Sequence, residues 1–214
     1  NSAAAGGSCT TDTLQILGDT SCVAYYKMSD ATDESGNFDG TPTSVNFNIA
    51  GKFGNAGSFN GSSSLINLGN NSSNNSSTIS VSLWFKTSGH SGTATIINNG
   101  GANSGETGYF LGLTSNGYLR LNSGSTGNVD GSVNYANGSW HNIIMTLNNG
   151  AYNIYVDGNT TPVKTGTGAF ASTATRPTWI GRFSYDSAAI EFFNGSIDQV
   201  RIFNKALSSS EVTT

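Results

Sequence analysis

The residues that could carry chemistry are few. Glycoside hydrolysis requires two carboxyl groups facing each other across the scissile bond at a defined separation. The four glutamates, Glu34, Glu106, Glu191 and Glu211, are far apart in sequence. Glu191 stands in the apolar context AIEFF, where burial would raise its pKa. A sheet-edge or loop carboxylate is the plainer role for it. His90 and His141 are the only histidines. His141 begins a strand beside Trp140, a place for packing or hydrogen bonding rather than for a general base. No Gly-x-Ser-x-Gly nucleophile elbow is present. The chain therefore reads as a non-enzyme.

Metal and sugar chemistry fit the composition better. Zinc is excluded by two Cys and two His at unsuitable spacing. Calcium accepts carboxylates, Asn side chains and loop carbonyls. Asp30, Asp33, Asn37 and Asp39 fall within one loop, SDATDESGNFDG, and make a candidate for structural calcium. The competing role for Asp33 and Asn37 is Asx-turn hydrogen bonding. Sugars are held by aromatic faces flanked by Asn, Asp and backbone groups. Tyr109, Tyr118, Tyr135, Tyr155 and Tyr185 are candidate exposed aromatics. Tyr135 and Tyr185 stand out because they sit in the polar segments VNYANG and FSYDS. The alternative is a ring packed on a sheet with its hydroxyl outward. Trp84, Trp140 and Trp179 read as core or sheet-packing residues.

The elements that must position these residues are strands. In SWHNIIMTLNNGAYNIYVDG, Ile143, Met145 and Leu147 share one face of a strand over residues 140–147. Tyr152, Ile154 and Val156 share one face of a second strand over 151–156, and Asn148-Asn149-Gly150 joins the two as a turn. Residues 79–86 alternate strictly, with Ile79, Val81, Leu83 and Phe85 on one face. Residues 109–113 and 118–121 flank Asn116-Gly117 as a second hairpin. Further strands are expected near 21–28, 45–49, 64–68, 93–98, 178–183 and 195–203. Ser208 and Glu211 have capping-box spacing for one helical turn. Such half-apolar hairpins need a second apolar surface, and the expectation is an all-β, antiparallel two-sheet sandwich.

Composition narrows the partners. Charged residues make up 10% of the 214 and the net charge is −4, with no Lys/Arg cluster. Nucleic acid is excluded as a partner, because neutralising phosphates needs concentrated positive charge. No apolar run approaches the ~20 residues that cross a bilayer, so no membrane insertion is expected. Cys9 and Cys22 either close a small loop, as an oxidising compartment or a particle surface would favour, or remain two thiols. Residues 1–20 read as an N-terminal arm or linker, and residues 21–214 as the domain.

Several phrases together resemble the laminin-G-like jelly-roll branch of the concanavalin A-like superfamily. AYYKMSDATDESGNFDGT resembles its opening strand and Asp-x-Ser-Gly-Asn loop, and AGSFNGSSSLINLG and TISVSLWFK two of its later strand phrases. SWHNIIMTLNNGAYNIYVDG is the most specific match, followed by WIGRF and FNGSIDQVRIFNKALSSSEV at the close. The resemblance covers roughly residues 23–212. It implies a jelly roll and adds Asp198 to Asp33, Asn37 and Asp39 as an expected calcium ligand. It also implies a choice among lectin-like binders, adhesion modules, spacers and glycosidases. Catalytic members often place carboxylates as Glu-x-Asp-x-Glu on one strand, and this chain has no such triplet. The leader TDTLQILGDTSC resembles the segment preceding such modules in marine phage virion proteins. The function expected is an extracellular or virion-surface module that binds glycans or cell-surface polymers. The alternative is a virion decoration or fibre subunit that contacts copies of itself or other subunits through its N-terminal arm.

Overall fold

The computed structural model describes residues 21–70, 76–100, 108–123, 127–168, 177–183 and 191–213. Fifteen strands follow one another there: β1 (Cys22–Tyr26), β2 (Thr41–Thr43), β3 (Asn46–Ala50), β4 (Asn55–Asn60), β5 (Leu65–Asn67), β6 (Thr78–Lys86), β7 (Ala94–Gly100), β8 (Gly108–Leu113), β9 (Tyr118–Ser123), β10 (Gly127–Asn134), β11 (Trp140–Asn148), β12 (Ala151–Val156), β13 (Lys164–Thr167), β14 (Thr178–Ile180) and β15 (Asn194–Phe203). One sheet has the order β13-β12-β11-β6-β15-β4-β3, with β1 also paired to β15. The other has the order β10-β9-β8-β7-β14-β5-β2. All pairings are antiparallel. The molecule is an all-β jelly-roll sandwich.

The period-2 pattern of the sequence builds this core. Ile143, Met145 and Leu147 of β11 stand opposite Leu83, Val81 and Ile79 of β6, and all six are buried. The second sheet meets them with Ile97, Tyr109, Leu111, Leu119, Leu121 and Ile180. Full burial of each such aliphatic chain stabilises by about 1.5–3 kcal/mol. The β11–β12 hairpin turns at Asn149 (φ 48°) and Gly150 (φ 92°), the paired positive φ of a tight two-residue reversal. Ser208 and Glu211 form a turn rather than a helix. The Glu211 Oε2 accepts from the Ser208 N–H and Oγ–H, both at 2.8 Å.

A smaller apolar cluster lies on the outer face of the first sheet. Tyr25, Ile144, Tyr155 and Phe203 pack there with Leu207 and Val212 of the closing segment. Ser80 Oγ anchors that segment, donating to the Lys205 carbonyl at 2.8 Å and accepting from the Leu207 N–H at 2.9 Å.

Three strands lie where the sequence shows no strand signal: β2, β10 and β13. TPT, GNVDGSVN and KTGT carry no apolar alternation. Each is the outermost strand of its sheet and is held by ladder bonds to one neighbour. Pro42 in β2 suits that place, since an edge strand tolerates a missing donor. Cys22 is disulfide-bonded rather than a free thiol. Cys9 and the whole expected arm, residues 1–20, lie outside the described residues.

Candidate functional site

The outer face of the second sheet carries the site. Leu119 and Leu121 of β9 enter the core, so Arg120 and Asn122 stand on the opposite face. Strand register sets residues beside them. Thr41, Asn67, Trp179, Asn98, Phe110, Asn122 and Asn128 are successive cross-strand partners over all seven strands. The neighbouring row is Thr95, Gly112, Arg120 and Asp130. The first row thus interleaves amides with two aromatic rings.

A cavity of about 210 Å³ opens at one part of this face, lined by Thr93, Phe110, Arg120, Asn122, Asn128, Phe183 and Glu191. Backbone bonds hold its two flanking segments. The Thr95 N–H donates to the Glu191 carbonyl at 3.0 Å, and the Gly181 N–H donates to the Ile96 carbonyl at 2.9 Å, two residues before Phe183. Phe183 meets Phe110 edge to face, with centroids 5.8 Å apart and an interplanar angle of 76°.

The polar groups of the cavity are partly committed. Arg120 donates from Nε and Nη2 to the two oxygens of Asp130, both at 2.7 Å, and from Nη1 to Thr93 Oγ1 at 3.3 Å. The hydrogen-bonded guanidinium holds the Asp130 carboxyl below its ordinary range. Glu191 behaves oppositely. Burial raises its pKa, and the nearby Arg120 charge and Thr93 hydroxyl only partly offset this. The Asn122 amide donates through Nδ2 to Asn128 Oδ1. Its own Oδ1 is buried with no protein partner. Further along the row, Asn98 Oδ1 and Trp179 Nε1 are also buried without partners. The Arg182 guanidinium lies 5.1 Å from the Trp179 ring centre.

The residues expected from sequence lie elsewhere. Tyr109 and Tyr155 are not exposed aromatics: they are 1% and 6% exposed and pack in the two apolar clusters. The alternation of β8 turns Tyr109 inward with Leu111 and Leu113, leaving Phe110 outward. Tyr135 is half-buried against the main core, its ring edge-to-face with His141 at 5.2 Å, and it does not line the cavity. Tyr185 lies outside the described residues. His141 bonds through Nδ1 to Asp157 at 2.8 Å and through Nε2 to Asn137 at 3.1 Å, a hydrogen-bonding role. None of the three tryptophans belongs to the buried core; each is half-buried on a sheet face.

The Asp33 carboxylate closes its own loop. Its Oδ1 accepts from the N–H groups of Tyr25 (2.8 Å) and Ser35 (3.0 Å). Its Oδ2 accepts from Ser35 Oγ (2.6 Å) and the N–H groups of Asn37 (3.3 Å) and Phe38 (3.1 Å). Asp39 Oδ1 in turn accepts from the Asp33 N–H at 2.9 Å. Asp198 lies in β15 where that strand changes partner from β4 to β1, a bulge with Gln199 at φ 52°. Its Oδ2 accepts from the Phe53 N–H at 2.9 Å, while Oδ1 is buried without a partner. Among the described residues, no three of His, Cys, Asp and Glu gather as a metal would require. Calcium takes six to eight oxygens. With both oxygens of Asp33 occupied by protein donors, Asp33, Asn37, Asp39 and Asp198 as arranged do not fit such a shell.

The cavity residues other than Glu191 escaped sequence reading, although two signals mark them. YLRLN alternates Leu with Arg120 and Asn122, which puts polar groups mid-strand on the open face. GYFLGL flanks Phe110 with glycines on that same face, which lets a large ring lie flat on the strand.

A sandwich of two antiparallel sheets with this strand order is a jelly-roll architecture, and the sequence agrees. The chain belongs to the concanavalin A-like lectin/glucanases superfamily, whose laminin-G-type model matches residues 59–213. It is similar to domain 4 of AbnA, an extracellular arabinanase of Geobacillus stearothermophilus solved with arabinotriose. The two share 28% identity at a TM-score of 0.69, over 90% of this chain and 96% of that one. A mutant Trypanosoma rangeli sialidase shares 16% identity at a TM-score of 0.71, over 91% of this chain and 32% of that one. Botulinum neurotoxin type C, whose cell entry depends on two ganglioside molecules, shares 21% identity at 0.63, over 90% of this chain and 50% of that one. This chain thus spans about a third and a half of those two longer chains. No curated protein matches the chain in sequence. Among the described residues, no helix is long and apolar enough to cross a membrane.

Proposed function

We propose that this chain is a noncatalytic glycan-binding module acting outside the cell, on a secreted protein or a virion surface. One observation carries the reading. The outer face of the second sheet holds a small cavity in which aromatic rings meet amides, a guanidinium and a carboxyl. Such a mix of apolar wall and a few directed polar groups is the usual form of a small-ligand site. The arabinotriose complex of the 28% identical domain supports the same ligand class.

The noncatalytic part rests on the carboxyl groups. Hydrolysis needs two of them working across the bond. Among the described residues, Glu191 is the one carboxylate that lines the cavity, and the nearby Asp130 has both oxygens tied to Arg120.

The test is a glycan-binding screen that includes arabinotriose, run with calcium and with EDTA, and followed for released sugar. Binding without turnover, weakened in Phe183→Ala and Asn122→Ala proteins of unchanged melting temperature, is the expected result. Folded protein that binds no glycan overturns the reading and favours a structural subunit. Steady release of reducing ends would make the chain an enzyme.

A further inference from the structure

The closing segment covers one end of the outer face of the first sheet, through Leu207 and Val212. At the other end, strand alternation turns Trp84 and Lys86 of β6 and Trp140 of β11 away from the core, and Lys86 stands directly opposite Trp140. The turn between β3 and β4 folds over this end. Its Gly51 N–H donates to the Gly54 carbonyl at 2.8 Å, and its Phe53 N–H donates to Asp198 Oδ2 at 2.9 Å. The Phe53 ring meets Trp84 edge to face at 5.9 Å, and Lys52 Nζ lies 4.5 Å from the centre of the Trp84 ring. Phe53 nevertheless stays 52% exposed, the one large aromatic so exposed among the described residues. We propose that Lys52, Phe53, Trp84, Lys86 and Trp140 form a second binding surface, for an acidic polysaccharide chain, apart from the cavity on the other sheet.

Charge indicates the partner. The chain is acidic, with a net charge of −4, and Lys27 and Lys205 are paired with Glu34 and Glu211. Lys52 and Lys86 are exposed and have no carboxylate partner among the described residues. Two carboxylates belong to the adjoining segments. Asp198, opposite Trp84 in the ladder, is buried beneath the turn, with one oxygen on the Phe53 N–H and the other enclosed. Asp157 accepts from the Asn142 N–H at 2.9 Å and bonds His141 at 2.8 Å through its other oxygen. Shape separates the possible partners. The Phe53 ring lies along the sheet with its amide pinned, so it does not project as an anchor entering a lipid surface would. A stable protein interface engages roughly 20–30 residues a side, and the closing segment leaves only part of this face open. A flat strip of rings with cations beside it suits a linear chain of sugar rings bearing carboxylates or sulfates. The rings are held in place before the ligand arrives, which lowers the ordering cost of binding.

The experiment is calorimetric titration of the intact chain with polygalacturonate, dextran sulfate and neutral dextran; the stronger of the two acidic polymers tells carboxylate from sulfate. Wild type is expected to bind at least one of them about tenfold or more tighter than dextran, and to lose that affinity as salt rises. Lys52→Gln and Lys86→Gln are each expected to weaken it about threefold at unchanged melting temperature. Phe53→Ala is expected to weaken it about fivefold or more, and Phe53→Tyr, which keeps the ring, to retain it. Phe183→Ala and Asn122→Ala, which alter the cavity, are expected to leave it unchanged, so this surface and the cavity stand or fall separately. Folded wild type that binds neither acidic polymer, or binds dextran as tightly, overturns the proposal. Binding indifferent to Phe53→Ala overturns it as well, since charge alone would then hold the polymer. Binding lost in Phe183→Ala moves the ligand to the cavity and overturns it. Tighter binding to vesicles of phosphatidylcholine and phosphatidylserine than to either polymer replaces the polysaccharide by a membrane.

Discussion

The ring of Phe110 lies over Gly112, two residues further along β8: a Cβ at position 112 would stand 2.6 Å from Phe110 Cζ and 2.2 Å from the Ala94 carbonyl oxygen. The absence of a side chain at 112 thus sets how low the ring sits beside Arg120. Gly112→Ala is expected to cost about 1–3 kcal/mol, as overpacking does, and to lift Phe110 into the cavity. Denaturant unfolding reads the first effect and titration with arabinotriose the second. Alanine at 112 with unchanged stability and binding would refute the packing argument.

The Arg120–Asp130 pair is bidentate but only partly shielded, with side chains 21% and 38% exposed. Its worth is therefore modest. A double-mutant cycle with Arg120→Ala and Asp130→Ala is expected to give a coupling of about 1 kcal/mol at neutral pH. Because the guanidinium lowers the Asp130 pKa, this stability is present above the unfolded aspartate pKa and is lost as the pH falls through the folded value. Coupling that persists undiminished in strong acid would contradict the assignment.

Glu191 shows the opposite sign. Burial raises its pKa, so the folded chain keeps this proton to higher pH than the unfolded chain does. Its favourable contribution exists below the unfolded carboxylate pKa, near about 4.3, and disappears as the pH rises through the folded value. Glu191→Gln cannot titrate. Its melting temperature relative to wild type should therefore climb between acid and neutral pH. A difference that stays level or falls over that range would show Glu191 to be solvated in the folded protein.

Asp33 is 2% exposed and accepts five hydrogen bonds from its own loop and β1. Removing the acceptor strands several of those donors. Asp33→Ala is expected to destabilise by about 2–4 kcal/mol, at roughly 1–3 kcal/mol for each buried group left unpaired and with partial rescue by water. Asp33→Asn, which keeps one oxygen, should fall between the two. An alanine variant with the urea midpoint of wild type would reassign the loop's stability to other contacts.

Much of this fold was legible because its central strands repeat with period 2. Ile79, Val81, Leu83 and Phe85, and Ile143, Met145 and Leu147, declare their buried face in any window of eight residues. The edge strands β2, β10 and β13 declared nothing, since edge pairing uses backbone groups that every sequence shares. The site fared worse for a related reason. Asn98, Phe110, Asn122 and Asn128 become neighbours only through the register of four strands, and no linear spacing encodes it. Polar context singled out Tyr135, but its segment folds back onto the core, with the Tyr135 N–H donating to the Gly117 carbonyl at 2.9 Å. Glu191 was readable as a carboxylate in apolar company, and the direction of its pKa follows from that company.

The closing segment and the cavity occupy opposite sides of the sandwich. Leu207 and Val212 rest on the outer face of the first sheet, and Phe110 and Arg120 stand on the outer face of the second. Two sheets about 10 Å apart separate them. A biotin tag or a fluorescent fusion joined beyond Val212 would therefore leave on the far side. A sensor chip loaded through that end would present the cavity to the flowing sample, whereas coupling through the β9–β10 edge would press it against the chip.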